Sequence, residues 1–82
     1  MNLSIDPAAP MNVYPNPSLD GRIMISLSNK EDLKIEVYSS DGKKVFERKT
    51  NQSFELVLGS GIYLINSTDV KNKMISKKII IL

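Results

Sequence analysis

Two prolines one residue apart, in Val13-Tyr14-Pro15-Asn16-Pro17-Ser18, constrain this chain more than any other feature. Each proline fixes φ, lacks an N–H and pushes its predecessor toward extended geometry, so no helix can run through this stretch. An aromatic residue precedes the pair and Asp20-Gly21 follows it. A stiff extended segment placed there predicts the opening of a small all-β domain. Ahead of it, residues 1–10 hold two further prolines and no periodicity. They read as a flexible linker or expression remnant, with Met1 as an added start, and residues 11–82 read as the folded unit.

From Arg22 onward the pattern has a period of two. Ile23, Ile25 and Leu27 alternate with Met24 and Ser26, and Leu33, Ile35 and Val37 alternate with Lys34, Glu36 and Tyr38. Alternation of this kind marks half-buried strands. Ser39-Ser40-Asp41-Gly42 is the strongest hairpin signal, because glycine and, less readily, aspartate accept the positive φ of tight turns. The return strand is expected over Lys43–Lys49, around Val45 and Phe46. After a break at Asn51-Gln52, Phe54, Leu56 and Leu58 alternate with Glu55 and Val57. Gly59-Ser60-Gly61 then turns the chain into Ile62–Asn66, Ser67–Lys73 is polar, and Met74–Leu82 forms the last strand. About seven short strands at spacings of about 8–12 residues predict an immunoglobulin-like antiparallel β-sandwich, with a small barrel as the alternative.

Composition removes most chemistries. The chain has no cysteine and no histidine, which excludes disulfides, thiol nucleophiles, imidazole bases and nearly all zinc, haem and iron–sulfur ligation. A net charge of +2, from 11 basic and 9 acidic residues, gives no electrostatic footprint for nucleic acid. No apolar run approaches the roughly 20 residues of a membrane-spanning helix. Nor do residues 1–12 hold a signal-peptide core, so the chain reads as a piece of a longer one. Asp20, Asp32, Asp41 and Asp69 fall in expected turns, where aspartate commonly bonds its own backbone. The adjacent pair Glu31-Asp32 points to opposite faces of an extended chain, and no calcium loop of the D-x-D-x-D-G kind is present. Gly59-Ser60-Gly61 is too short to cradle phosphate and no helix follows it. Three sequons, at Asn2, Asn51 and Asn66, are unsurprising in a chain this rich in asparagine and serine. No catalytic residue, metal site or cofactor is expected, and the chain reads as a non-enzyme.

The end of the chain stands apart. Lys77-Lys78-Ile79-Ile80-Ile81-Leu82 closes it with four consecutive large aliphatic residues. One reading is a strand buried on both faces, with Lys71, Lys73, Lys77 and Lys78 as gatekeepers against edge pairing. The other is an address read by a partner through strand addition or contact with the lysines. The same apolar edge offers a route for two copies to associate.

Four landmarks, in order and spacing, resemble one family. Tyr14-Pro15-Asn16-Pro17-Ser18 with Gly21 is similar to the opening motif of type IX secretion system C-terminal sorting domains (type A) of Bacteroidetes. Val37-Tyr38 with Asp41-Gly42-Lys43 and Val45 resembles that family's central hairpin. Gly61-Ile62-Tyr63-Leu64 resembles its Gly-x-Tyr motif, and Lys77-Lys78-Ile79-Ile80 its closing motif. The resemblance covers about residues 11–82 and implies a seven-stranded immunoglobulin-like fold. It further implies a cleavable address on a cargo fused N-terminally, recognised by the outer-membrane type IX translocon. A surface C-terminal signal peptidase would then remove it. The localisation implied is export, with the periplasm in transit and then the outer membrane, cell surface or medium. Tyr14, Pro15, Asn16, Pro17, Gly21, Asp41, Gly42, Gly61 and Tyr63 are expected to serve the fold. Lys77, Lys78, Ile79, Ile80, Ile81 and Leu82 are the candidates for translocon recognition, with Lys71 and Lys73 beside them, and cleavage is expected in residues 2–10. The alternative from the residues themselves is an immunoglobulin-like accessory module that binds carbohydrate or protein, and a structural stalk is a third.

Overall fold

The computed structural model describes residues 9–82. Most of the expected linker (residues 1–10) and cleavage region (residues 2–10), with the sequon at Asn2, lies outside the described residues. The remainder forms seven strands: β1 (Met11–Tyr14), β2 (Arg22–Leu27), β3 (Leu33–Ser39), β4 (Lys44–Thr50), β5 (Phe54–Val57), β6 (Gly61–Thr68) and β7 (Met74–Ile81). They make two antiparallel sheets, a three-stranded one in the order β1-β2-β5 and a four-stranded one in the order β4-β3-β6-β7. The expected immunoglobulin-like sandwich is the fold.

Alternation decides which side chains meet between the sheets. Ile23 and Ile25 from one sheet face Leu33, Ile35, Val37, Ile65, Ile79 and Ile81 from the other, and Met11 completes the buried set. Each such aliphatic side chain taken out of water contributes about 1.5–3 kcal/mol, and this is the main drive for closing the sandwich. Val13, Leu27, Phe46, Phe54, Leu56, Leu58 and Tyr63 pack around the rim. At the β4 edge the Arg48 guanidinium lies 4.6 Å from the Phe54 ring centroid and 5.2 Å from that of Phe46. It covers a tilted aromatic pair 5.7 Å apart with a cation.

Three local expectations change. In the return strand Phe46, paired with Val37, turns inward while its neighbour Val45 is exposed, and past that pair the register of β3 and β4 shifts between Val37 and Tyr38. A bulge of this kind adds a residue on one strand and re-aims its side chains. β6 runs on to Thr68, and Ser67, expected in a polar loop, is buried opposite Ile35 and Ile75. The third change concerns β7, which is not buried on both faces. It is the edge strand of its sheet, with Ile79 and Ile81 buried while Ile80 and Leu82 are 37% and 61% exposed. Four aliphatic residues in a row conceal an ordinary alternation.

The turns follow the chemistry expected of them. Asp41 accepts the Ser39 hydroxyl and, at 3.3 Å, the Lys43 N–H. Those bonds hold its carboxyl below the usual carboxylate range. Asp20 accepts the Arg22 N–H at 3.0 Å, and Asp69 accepts the N–H groups of Lys71 and Lys73, both at 2.8 Å. Three of the four turn aspartates are thus capping their own backbone.

Candidate recognition surface

After β1 the chain leaves the three-stranded sheet and runs along the outer edge of β7 in the other. The Asn16 side chain does there what a backbone would do. Its Nδ2 donates to the Lys78 carbonyl at 2.9 Å and its Oδ1 accepts the Ile80 N–H at 3.1 Å. Ser18 continues with its own main chain, donating to the Ile80 carbonyl and accepting the Leu82 N–H, both at 2.9 Å. The result is a short parallel bridge between Ser18 and Ile81. Both Tyr14–Pro15 and Asn16–Pro17 are cis peptide bonds. Neither proline has an N–H, so this segment closes the edge without offering a comparable ladder to a further strand.

Ser18 is the residue that sequence reasoning undervalued. It is fully buried, its Oγ donates to the Arg22 carbonyl at 2.9 Å, and it accepts the Gly21 N–H at 3.1 Å. One serine therefore joins the edge of β7 to the start of β2. The available signal was local: a serine three residues before a glycine forms a side-chain turn of this type.

The recognition candidates divide by face. Lys77, Ile79 and Ile81 point toward the other sheet, while Lys78, Ile80 and Leu82 point outward. Lys71 and Lys73 sit in the β6–β7 turn, at the opposite end of the strand from Leu82. The structure does not gather the four lysines into one patch. Among the fold candidates, Tyr63 packs on the core rim and its hydroxyl donates to the Gly59 carbonyl at 3.0 Å, with its ring beside Gly61. Asp41 and Gly42 form the β3–β4 turn.

Beyond β6, the outer face of the four-stranded sheet is charged. Glu36 accepts the Tyr38 hydroxyl at 3.1 Å, and that bond raises the Tyr38 pKa. Lys44 pairs with Glu47 and, at 3.5 Å, with Glu36, which raises the Lys44 pKa and lowers that of Glu47. With Phe46 and Phe54 beneath Arg48 and Tyr63 half-buried, the described residues present no exposed aromatic row of the kind an accessory carbohydrate-binding module uses. Nor do they include a group of acidic residues able to hold a metal ion.

The family model for secretion system C-terminal sorting domains matches residues 12–82, from the second residue of β1 to the last residue of the chain. The chain belongs to this family. As a sorting domain it is a C-terminal signal and not itself a catalytic unit. It is also 37% identical, over 96% of its length, to part of an ulvan lyase of Nonlabens ulvanivorans. The chain spans only 16% of that relative's length. The sorting domain's opening and closing motifs, separated by some sixty residues, are in contact through the Asn16 and Ser18 bonds.

Asn16→Ala should therefore act on β7. Losing two partly exposed hydrogen bonds is expected to cost about 1–2 kcal/mol and to speed hydrogen exchange at the Ile80 amide. Asn16→Asp keeps the acceptor for that amide but sets a carboxylate against the Lys78 carbonyl. Exchange at Ile80 should then stay slow while stability still falls, and equal exchange in both variants would contradict the contact.

Proposed function

We propose that this sorting domain carries a cargo fused to its N-terminus across the outer membrane through the type IX translocon. A surface C-terminal signal peptidase then removes it within residues 2–10, leaving the cargo at the cell surface or in the medium. The observation that carries this reading is the extent of the two matches. The family covers nearly the whole chain, whereas the lyase relative is matched over only its C-terminal 16%. A module that recurs at the end of a much longer protein suits an address better than an activity. Among the candidates Lys77–Leu82, Lys78, Ile80 and Leu82 are the outward side chains, open to a translocon while the domain stays folded.

The test fuses the whole chain behind a periplasmic reporter in a bacterium with this machinery. The reporter is expected at the surface or in the medium, and Lys78→Glu combined with Leu82→Asp is expected to hold it in the periplasm. Both positions are exposed, so the melting temperature should move by only a few degrees, as for most surface changes. Export by that folded variant would remove the outward side chains from the signal. Failure of the unaltered chain to export would remove the address itself.

A further inference from the structure

The outer face of the four-stranded sheet has two halves of opposite character. In one, Lys34, Glu36, Lys44 and Glu47 satisfy one another's charge. In the other, cross-strand register lines up Tyr38, Leu64 and Lys78 in one row and Ile62 with Ile80 in the next. Directly opposed residues on one face form a continuous surface. Ile62 and Leu64 are 45% and 42% exposed, and with Tyr38 and Lys78 they line a shallow, largely apolar groove of about 420 Å³. Lys78 makes no ion pair with any described residue, and Glu36 and Glu47 are already engaged by other lysines.

From this arrangement we infer that the groove is a docking site for a partner protein presenting an apolar ridge with a carboxylate that meets Lys78. The inference rests on reading the last strand as the recognised element. It adds Tyr38, Ile62 and Leu64, from two other strands, to the surface that is read. Charge selects the occupant. A second copy would bring another lysine and no carboxylate of its own groove, whereas an acidic residue on a different protein would complete the site. The apolar rows supply area, and the lone cation supplies orientation.

The experiment uses the same reporter fusion of the whole chain. Ile62→Thr with Leu64→Thr places β-branched residues suited to a strand at two exposed positions of β6 and removes the apolar rows. Surface reporter should fall by about tenfold or more, the scale of losing a central contact, with the melting temperature within a few degrees of the parent. Val57→Thr, a more exposed aliphatic on the other sheet, should export normally. Lys78→Arg should retain export, and Lys78→Gln should lose several-fold. If the threonine pair melts early, Leu64→Thr alone carries the same expectation. Normal export by a folded threonine variant, while Lys78→Glu with Leu82→Asp stays in the periplasm, overturns the groove and leaves the last strand as the signal. Normal export by both overturns the reading beneath it as well. Normal export by Lys78→Gln overturns the carboxylate. A dimer in sedimentation that the threonine pair abolishes would assign the groove to a second copy and overturn the proposal.

Discussion

Gly21→Ala is expected to lower the melting temperature of the sorting domain by about 15 °C, the largest effect of any single methyl group added to it. The residue has φ +86°, and a Cβ there would stand 2.5 Å from the Leu58 carbonyl oxygen. The backbone cannot step aside cheaply. The Gly21 carbonyl accepts the Leu58 N–H at 2.9 Å and the Gly21 N–H is held by Ser18. Left-handed backbone costs a residue with a Cβ about 1–2 kcal/mol, and forced overlap in a packed site costs about 1–3 kcal/mol more. At about 4–8 °C per kcal/mol for a domain of this size, the sum reaches the stated shift. Gly42 is the control. Its φ is +85°, but a Cβ there would meet nothing within 4 Å, so Gly42→Ala should show only the backbone cost, about 1–2 kcal/mol. Thermal melts followed by far-ultraviolet circular dichroism separate the two, and equal shifts would rule out the close approach at Leu58.

Removing Ile79–Leu82 is expected to abolish the cooperative melt altogether. Ile79 and Ile81 are core residues, and truncating one buried isoleucine to alanine already costs about 2–5 kcal/mol. The deletion takes both, together with the backbone that receives Ser18. A stability of about 5–15 kcal/mol, with a small domain toward the lower end, cannot absorb that. Deleting the end of the chain therefore cannot separate an unread signal from an unfolded one, and substitution at outward positions can. Leu82→Asp should melt within a few degrees of the parent. A truncated chain that still melts cooperatively near the parent temperature would overturn the placement of Ile79 and Ile81 in the core.

What could be read from the sequence was local. Ile23 and Ile25, or Leu33, Ile35 and Val37, announce their buried face because period two is written within a few residues, and Ser39–Gly42 announces its turn for the same reason. The four aliphatic residues Ile79–Leu82 carry no alternation in their identities. Only their register against Ile62 and Tyr63 shows which two face water. Val45 and Phe46 were equivalent until the pairing of Phe46 with buried Val37 showed which of them faces the core. The resemblance reached both the opening and closing motifs as separate landmarks. Their contact joins positions sixty-two and sixty-four residues apart, which no periodicity in one chain can express. Ser18 was legible only as a turn residue, since its second role belongs to that distant edge.

That contact also imposes an order in time. A polypeptide made from its N-terminus has the Tyr-Pro-Asn-Pro-Ser stretch in hand almost from the start of the domain, but the groups that Asn16 and Ser18 must meet belong to Lys78–Leu82, some sixty residues later. Their clasp can close only once synthesis has passed through Lys78–Leu82, and a product that stops short of Lys78 lacks the other half of it. A domain built this way keeps the edge of its four-stranded sheet open until its last strand has been made.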